Sequence, residues 1–163
     1  MAGLETVVAQ WSQWLLEHRL HGDDDLFRHT EAWLTPVREK VLENATLAGD
    51  ETLLDVGCGD GVLGFGALPQ LPDGHVIFSD IAPDVLTLTQ ALAREFNVDT
   101  HCQFVQADAT TLKPIADRAV DVVTTRSVLI YVSDIQRAFD TFYRVLKPEG
   151  VFSLFEPIHR FAQ

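Results

Sequence analysis

The segment LLDVGCGDGVLGFG, Leu53 to Gly66, places five glycines in ten residues directly behind a short apolar run. A chain gives up side chains at that density where its backbone must turn sharply or admit a close neighbour. A buried strand, a glycine-rich turn and a helix opening behind it form the layout of dinucleotide-binding α/β folds, in which ligands sit at the carboxyl ends of the strands. One such loop is a modest signal, and its weight depends on the segments downstream of it.

Those segments alternate strictly. TLLDV (52–56) reads as a buried strand, with a helix near Gly61 to Leu68. HVIFSD (75–80) is a second strand. Pro83 then opens a helix that carries Val85, Leu88, Leu92 and Phe96 on one face. CQFVQAD (102–108) and AVDVVTTR (119–126) are the third and fourth strands. Ser133 is placed to cap a helix through Ile135, Ala138, Phe139, Phe142 and Leu146, which ends at KPEG (147–150), and VFSLFEP (151–157) is a fifth strand. Strands alternating with helices predict a mostly parallel, doubly wound sheet of about five strands, covered on both faces.

Residues 1–47 read differently. Val7, Trp11, Trp14, Leu15 and His18 recur at helical spacing, and an acidic loop, Asp23 to Asp25, ends with an Asp placed to cap a short helix over Phe27 to Leu34. Thr35-Pro36 has the form of a cap with proline in the first turn, opening a separate helix through Val37, Val41, Leu42 and Ala45. The expected organisation is a helical cap over 1–47 and a core over 48–163. Trp11, Trp14 and Trp33 all fall in the cap, either as core packing or as aromatics that also line a substrate pocket.

Composition narrows the partners. Twelve basic against twenty-four acidic residues give a formal charge of −12, and no Lys/Arg stripe offsets it, so nucleic acid is not the expected partner. No apolar run reaches the roughly 20 residues of a membrane span, and the N-terminus lacks a basic segment followed by an apolar core. The expected location is cytoplasmic. Cys58 and Cys102 form neither a CxxC pair nor a ligand set, and His18, His21 and His29 show no pairing with a carboxylate at metal-ligand spacing, so no metal is expected.

The glycine loop admits two registers. Gly59, Gly61 and Gly64 give G-x-G-x-x-G, while Asp55 with Gly57, Gly59 and Gly61 gives D-x-G-x-G-x-G. Charge separates the readings. A pyrophosphate is best held by uncharged backbone N–H groups, whereas Asp55 and Asp60 bracket this loop with carboxylates. They would repel a diphosphate and attract a ligand bearing an ammonium and a sulfonium, which describes S-adenosylmethionine.

In these motifs the chain resembles the class I S-adenosylmethionine-dependent methyltransferases, which have a Rossmann-like fold, over roughly residues 50–157. LLDVGCGDG is similar to their first motif, FSDIAPDVL to the second and QADATTL to the third. VDVVTTRSVLIYVSD and FYRVLKPEGVFSLFEP match the fourth strand, its helix and the fifth strand. The resemblance implies methyl transfer and a cofactor held by Asp55, Gly57, Gly59, Gly61, Asp80, Ile81, Asp108, Ala109 and Arg126. In it Asp80 takes the ribose hydroxyls, Ile81 flanks the adenine, and Asp108 accepts from the adenine amino group beside Ala109.

Two departures bear on substrate and assembly. The place of the Asn/Asp-Pro-Pro-Tyr/Phe segment of many amino-methylating enzymes reads Thr125-Arg126-Ser127-Val128, which leaves a small-molecule acceptor as the expectation. The family's last two strands have no counterpart before Gln163. The expectation is therefore an incomplete core, either a piece of a longer enzyme or a chain that pairs as a homodimer through the edge bearing Phe152, Leu154 and Phe155. Arg126, Tyr131, Glu156 and His159 are the candidates around the reacting methyl. For Arg126 the choice lies between orienting an acidic substrate and a structural ion pair with Asp134 or Asp108. Two other functions stand beside methyl transfer: a non-catalytic cofactor-binding module that pairs with another chain, and a nicotinamide-dependent oxidoreductase, which Asp55 and Asp60 disfavour.

Overall fold

The computed structural model describes residues 2–157. Helix α1 (Ala2–Trp14) runs into a π-helical turn (Leu15–Arg19) and is followed by α2 (Asp24–Ala45). The alternating part comprises β1 (Thr52–Val56), α3 (Val62–Ala67), β2 (His75–Asp80), α4 (Pro83–Glu95), β3 (Cys102–Gln106), β4 (Val120–Arg126), α5 (Ile135–Val145) and β5 (Leu146–Phe155). All four strand pairings are parallel, in the order β3-β2-β1-β4-β5. The chain winds outward from β1 to β3 and then resumes on the other side of β1. That reversal opens a crevice at the carboxyl ends of β1 and β4.

Side-chain alternation divides the core in two. Leu53, Val76, Phe78 and Val122 face a cluster that includes Val7, Trp11, Val41 and Leu42 of the first two helices and Phe65 of α3. Leu54, Val56, Ile77 and Val123 face the other way, against Ala138, Phe142 and Val145 of α5. A central strand buried on both faces needs apolar residues at successive positions, which is why TLLDV shows no polar alternation. Each such side chain removed from water stabilises the fold by about 1.5–3 kcal/mol.

Local structure corrects several of the sequence-based expectations. The chain does not break at Thr35-Pro36; α2 runs through Pro36. Thr35 Oγ1 donates to Glu31 Oε2 at 3.0 Å instead of capping a new helix. Burial of Leu34, Arg38, Val41, Leu42 and Ala45 along one stripe holds the helix together across the missing N–H. The cap of α2 is the first aspartate of the acidic loop, not the last: Asp23 Oδ1 accepts from Leu26 N at 2.9 Å. Likewise Asp134, not Ser133, caps α5, accepting from Arg137 N at 3.0 Å. Lys147–Gly150 is not a helix terminus. β5 starts at Leu146, paired with Val120, and the intervening residues bulge before Val151 pairs with Val122. Lys147 Nζ pins that bulge to Asp121 Oδ2 at 2.8 Å. The buried stripe of α4 is also rotated from the expected one: Leu86, Thr89, Leu92, Ala93 and Phe96 are buried, while Val85 and Leu88 are half-buried.

Candidate functional site

A cavity of about 470 Å³ opens at the reversal point of the sheet. Its walls include Val56 and Gly57 from the end of β1, Asp80 and Ile81 from β2, Asp108 and Ala109 beyond β3, and Ser127, Val128 and Tyr131 beyond β4. Five of the nine residues named for the cofactor therefore meet in one cavity. Asp55, Gly59, Gly61 and Arg126 do not line it.

The glycine loop is shaped by close approach. Gly57 has φ +66°, and a Cβ there would fall inside the van der Waals envelope of Val128 Cγ2. Only a residue without a side chain lets β1 turn this tightly against the segment after β4. At Gly64 a Cβ would collide with the Phe78 ring, so α3 lies directly on β2. Thr89 Oγ1 ties the loop to α4, donating to Gly59 O at 2.7 Å. Trp11 Nε1 ties it to α1, donating to Asp60 O at 2.9 Å. The N-terminal helices thus brace the loop from behind.

Asp80 braces it from the front. Its Oδ2 accepts from Gly59 N at 3.1 Å and its Oδ1 from Ala82 N at 3.0 Å. Both carboxylate oxygens are thereby fixed in direction, and each retains capacity for another donor. Asp108 is held in the same manner: Thr110 N and Thr110 Oγ1 both donate to its Oδ1, at 2.7 and 2.6 Å. The Thr110 hydroxyl, then its N–H, keeps the Asp108 carboxyl below its ordinary value and therefore ionised. Between them Ile81 stands 64% exposed, an apolar side chain presented to the cavity instead of the core.

The carboxylates that line the cavity are not the ones the glycine motif suggests. Asp55 is buried beneath the loop, with Oδ2 accepting from Gly64 N at 3.0 Å. Burial raises its carboxyl to about 7, a rise only partly offset by the Gly64 N–H and the Arg126 charge. Burial also raises Asp60, against the opposing pull of Arg19, whose Nη1 lies 3.9 Å from Asp60 Oδ2. Neither carboxylate faces the cavity. The acidic groups that do are Asp80 and Asp108, and they lie where hydroxyl and amino donors of a nucleoside would need acceptors. A nucleoside therefore fits the groups present: two directed carboxylate acceptors, an apolar flank, and a tight backbone turn.

The candidates for the reacting end separate. Tyr131 is 82% exposed at the cavity wall. Glu156 Oε1 accepts from Val128 N and Leu129 N at 2.8 and 3.0 Å, fixing the segment that closes over Gly57. Arg126 forms no ion pair with Asp134 or Asp108; its Cζ lies 5.8 Å from the centroid of the Trp33 ring. Trp11 and Trp14 are core, whereas Trp33 is 52% exposed. His159 lies outside the described residues. Sequence reasoning missed Val128, Thr89 and the Trp11–Asp60 link. A threonine on an apolar helical face was the only local signal among the three.

Comparison with known proteins agrees with this geometry. Residues 54–154 match a family described as a methyltransferase domain. An arsenite methyltransferase of Halobacterium salinarum is 36% identical over 107 residues, covering 65% of this chain and 27% of the relative. A demethylmenaquinone methyltransferase of Lactobacillus johnsonii is 32% identical over 120 residues, covering 73% of this chain and 49% of the relative. The crystal structure of the [4+2]-cyclase SpnF superposes with a TM-score of 0.68 at 30% identity, covering 78% of this chain and 46% of that one. The chain thus spans half or less of the length of these relatives. The match takes in the glycine turn, the two carboxylates facing the cavity and every strand after the first residues of β1, and on that ground the chain belongs to the methyltransferase domain family.

Proposed function

We propose that the chain binds S-adenosylmethionine in the cavity between β1 and β4 and serves transfer of its methyl group to a small-molecule acceptor. Asp80 receives the ribose hydroxyls, Ile81 and Ala109 flank the adenine, Asp108 accepts from its amino group, and Gly57 lets the backbone approach. Asp55, Gly59 and Gly61 act one step back, setting the shape of the turn. The observation that carries this reading is the pair of fixed carboxylates at one apolar cavity, Asp80 held by Gly59 N and Ala82 N and Asp108 by Thr110.

The bound sulfonium supplies an already activated methyl group. The residues of this chain then have to hold the acceptor close and in line and keep water away. Ser127, Val128 and Tyr131, on the segment that Glu156 fixes, are positioned for that task, and the N-terminal helices act as its cap. The test is a thermal-shift comparison of S-adenosylmethionine, its demethylated product and NAD. The first two should raise the melting temperature and NAD should not, and Asp80→Ala should abolish the response. An Asp80→Ala protein that responds like the parent would place the cofactor elsewhere.

The similarity to a protein named as a [4+2]-cyclase favours a second reading, a cofactor-binding module that does not transfer methyl groups. Cofactor binding without product formation across a panel of acceptors would support it. We also infer that the outer edge of β5 associates with a second copy of the chain. The reading rests on its having a partner strand on one side only among the described residues, with Leu154 39% exposed.

A further inference from the structure

One cation at the carboxyl end of β4 makes no ion-pair contact among the described residues. Arg126 Nε is buried without a hydrogen-bond acceptor, and none of the ion pairs among the described residues involves this guanidinium. The residue as a whole remains half-exposed. Its Nε is thus sealed while part of the residue still reaches solvent. The guanidinium carbon sits over the exposed Trp33 indole of α2, 5.8 Å from the ring centroid, a cation–π contact that occupies none of its N–H groups with an acceptor.

The neighbouring carboxylates do not neutralise it by contact. Asp55 is engaged by Gly64 N and Asp60 faces Arg19, and burial raises both toward their uncharged forms. The register pairs Asp55 with Thr124, so Asp55, Thr124 and Arg126 share the face of the sheet beneath α2. The next residue, Ser127, is already in the cavity wall. Arg126 therefore stands immediately beyond the nucleoside cavity, on the side roofed by the N-terminal helices.

We propose that Arg126, seated over the Trp33 ring, anchors an anionic group of the methyl acceptor, a carboxylate or a phosphate, and so restricts the substrates to acids. The inference rests on the methyltransferase reading above. A guanidinium presents parallel N–H donors that match either oxyanion in a bidentate pair. A neutral amide of the same shape offers no charge to that fork, which makes the amide the natural control.

The experiment saturates the protein with S-adenosylhomocysteine and titrates it with benzoate, phenyl phosphate and benzamide, following the ligands by saturation-transfer NMR. Saturable binding of one or both anions and none of benzamide is expected, and the tighter anion identifies the acceptor's acid. Arg126→Gln should weaken that binding by about tenfold or more, with S-adenosylhomocysteine affinity by calorimetry unchanged within about twofold. Trp33→Leu, a change at an exposed side chain, should weaken anion binding as well and carries the test if circular dichroism finds Arg126→Gln unfolded. The proposal is overturned if benzamide binds as well as benzoate, if neither anion binds, or if the variants bind the anions like the parent. A tenfold loss of S-adenosylhomocysteine affinity in Arg126→Gln also overturns it, because the guanidinium would then belong to the cofactor. Failure of the parent to bind S-adenosylhomocysteine at all defeats the cofactor reading instead. The same titrations on the cofactor-free protein then decide the anchor alone: arginine-dependent anion binding supports it, and its absence overturns it.

Discussion

Asp55 Oδ2 and Gly64 N meet at 3.0 Å, and this bond locks the end of β1 to the α3 segment. It makes the acidic residue of the glycine motif a structural brace beneath the loop, and it places a carboxyl in apolar surroundings where its charge is costly.

The pH dependence of stability reflects that burial. The folded protein keeps the Asp55 proton up to about 7, against an ordinary 3.8. Between those values the native state binds more protons than the unfolded chain, so stability falls as pH rises through the window. Asp55→Asn retains an acceptor for Gly64 N and has no charge to bury. Relative to it, the wild type should lose on the order of 4 kcal/mol across that window, at about 1.4 kcal/mol for each pH unit. Urea unfolding of both proteins at a series of pH values checks this; parallel profiles would contradict it.

Gly57→Ala should destabilise the protein by about 2 kcal/mol or more, combining the cost of a left-handed conformation with overlap on Val128. Shortening the opposing side chain, in Gly57→Ala/Val128→Ala, should return part of the loss while leaving the conformational share. The two contributions separate in a double-mutant cycle measured by denaturant unfolding.

Pro36 lies exposed inside α2 and deprives the Ala32 carbonyl of its helical donor. Pro36→Ala should therefore stabilise the protein by about 1–3 kcal/mol. A lower melting temperature for this variant would mean that the proline relieves strain within α2.

The two sheet edges differ in chemistry. β3 exposes Gln103 and Gln106, polar side chains that discourage pairing, whereas β5 exposes Leu154. Light scattering across micromolar concentrations should show a concentration-dependent dimer, and Leu154→Lys should shift it toward monomer. A monomer throughout would count against association through β5.

Much of this architecture was legible from residue order. The glycine turn after TLLDV and the aspartate closing HVIFSD are local patterns, and local patterns encode strand and turn. Of the face expected for α5, Ala138 and Phe142 are buried while Ile135 and Phe139 are exposed and Leu146 opens β5. The cavity residues Gly57, Asp80, Ile81, Asp108 and Ala109 were named through the resemblance of their motifs to the class I methyltransferases, and the parallel sheet gathers the strand ends that carry them on one side. Caps and breaks were less legible, as at Asp23, Asp134 and Pro36, where tertiary burial outweighed a local signal.

Residue order by itself determined the α/β alternation, the parallel sheet and the acceptor groups of the cavity, because each depends on contacts within or between neighbouring segments. Only the tertiary structure decided that Asp55 lies beneath the loop instead of facing a ligand. The same holds for Val128 filling the space that Gly57 leaves, and for Arg126 lying over the Trp33 ring instead of pairing with an acid. These partners are brought together across long stretches of chain by packing of the whole core, and packing at that range leaves no periodic trace in the sequence.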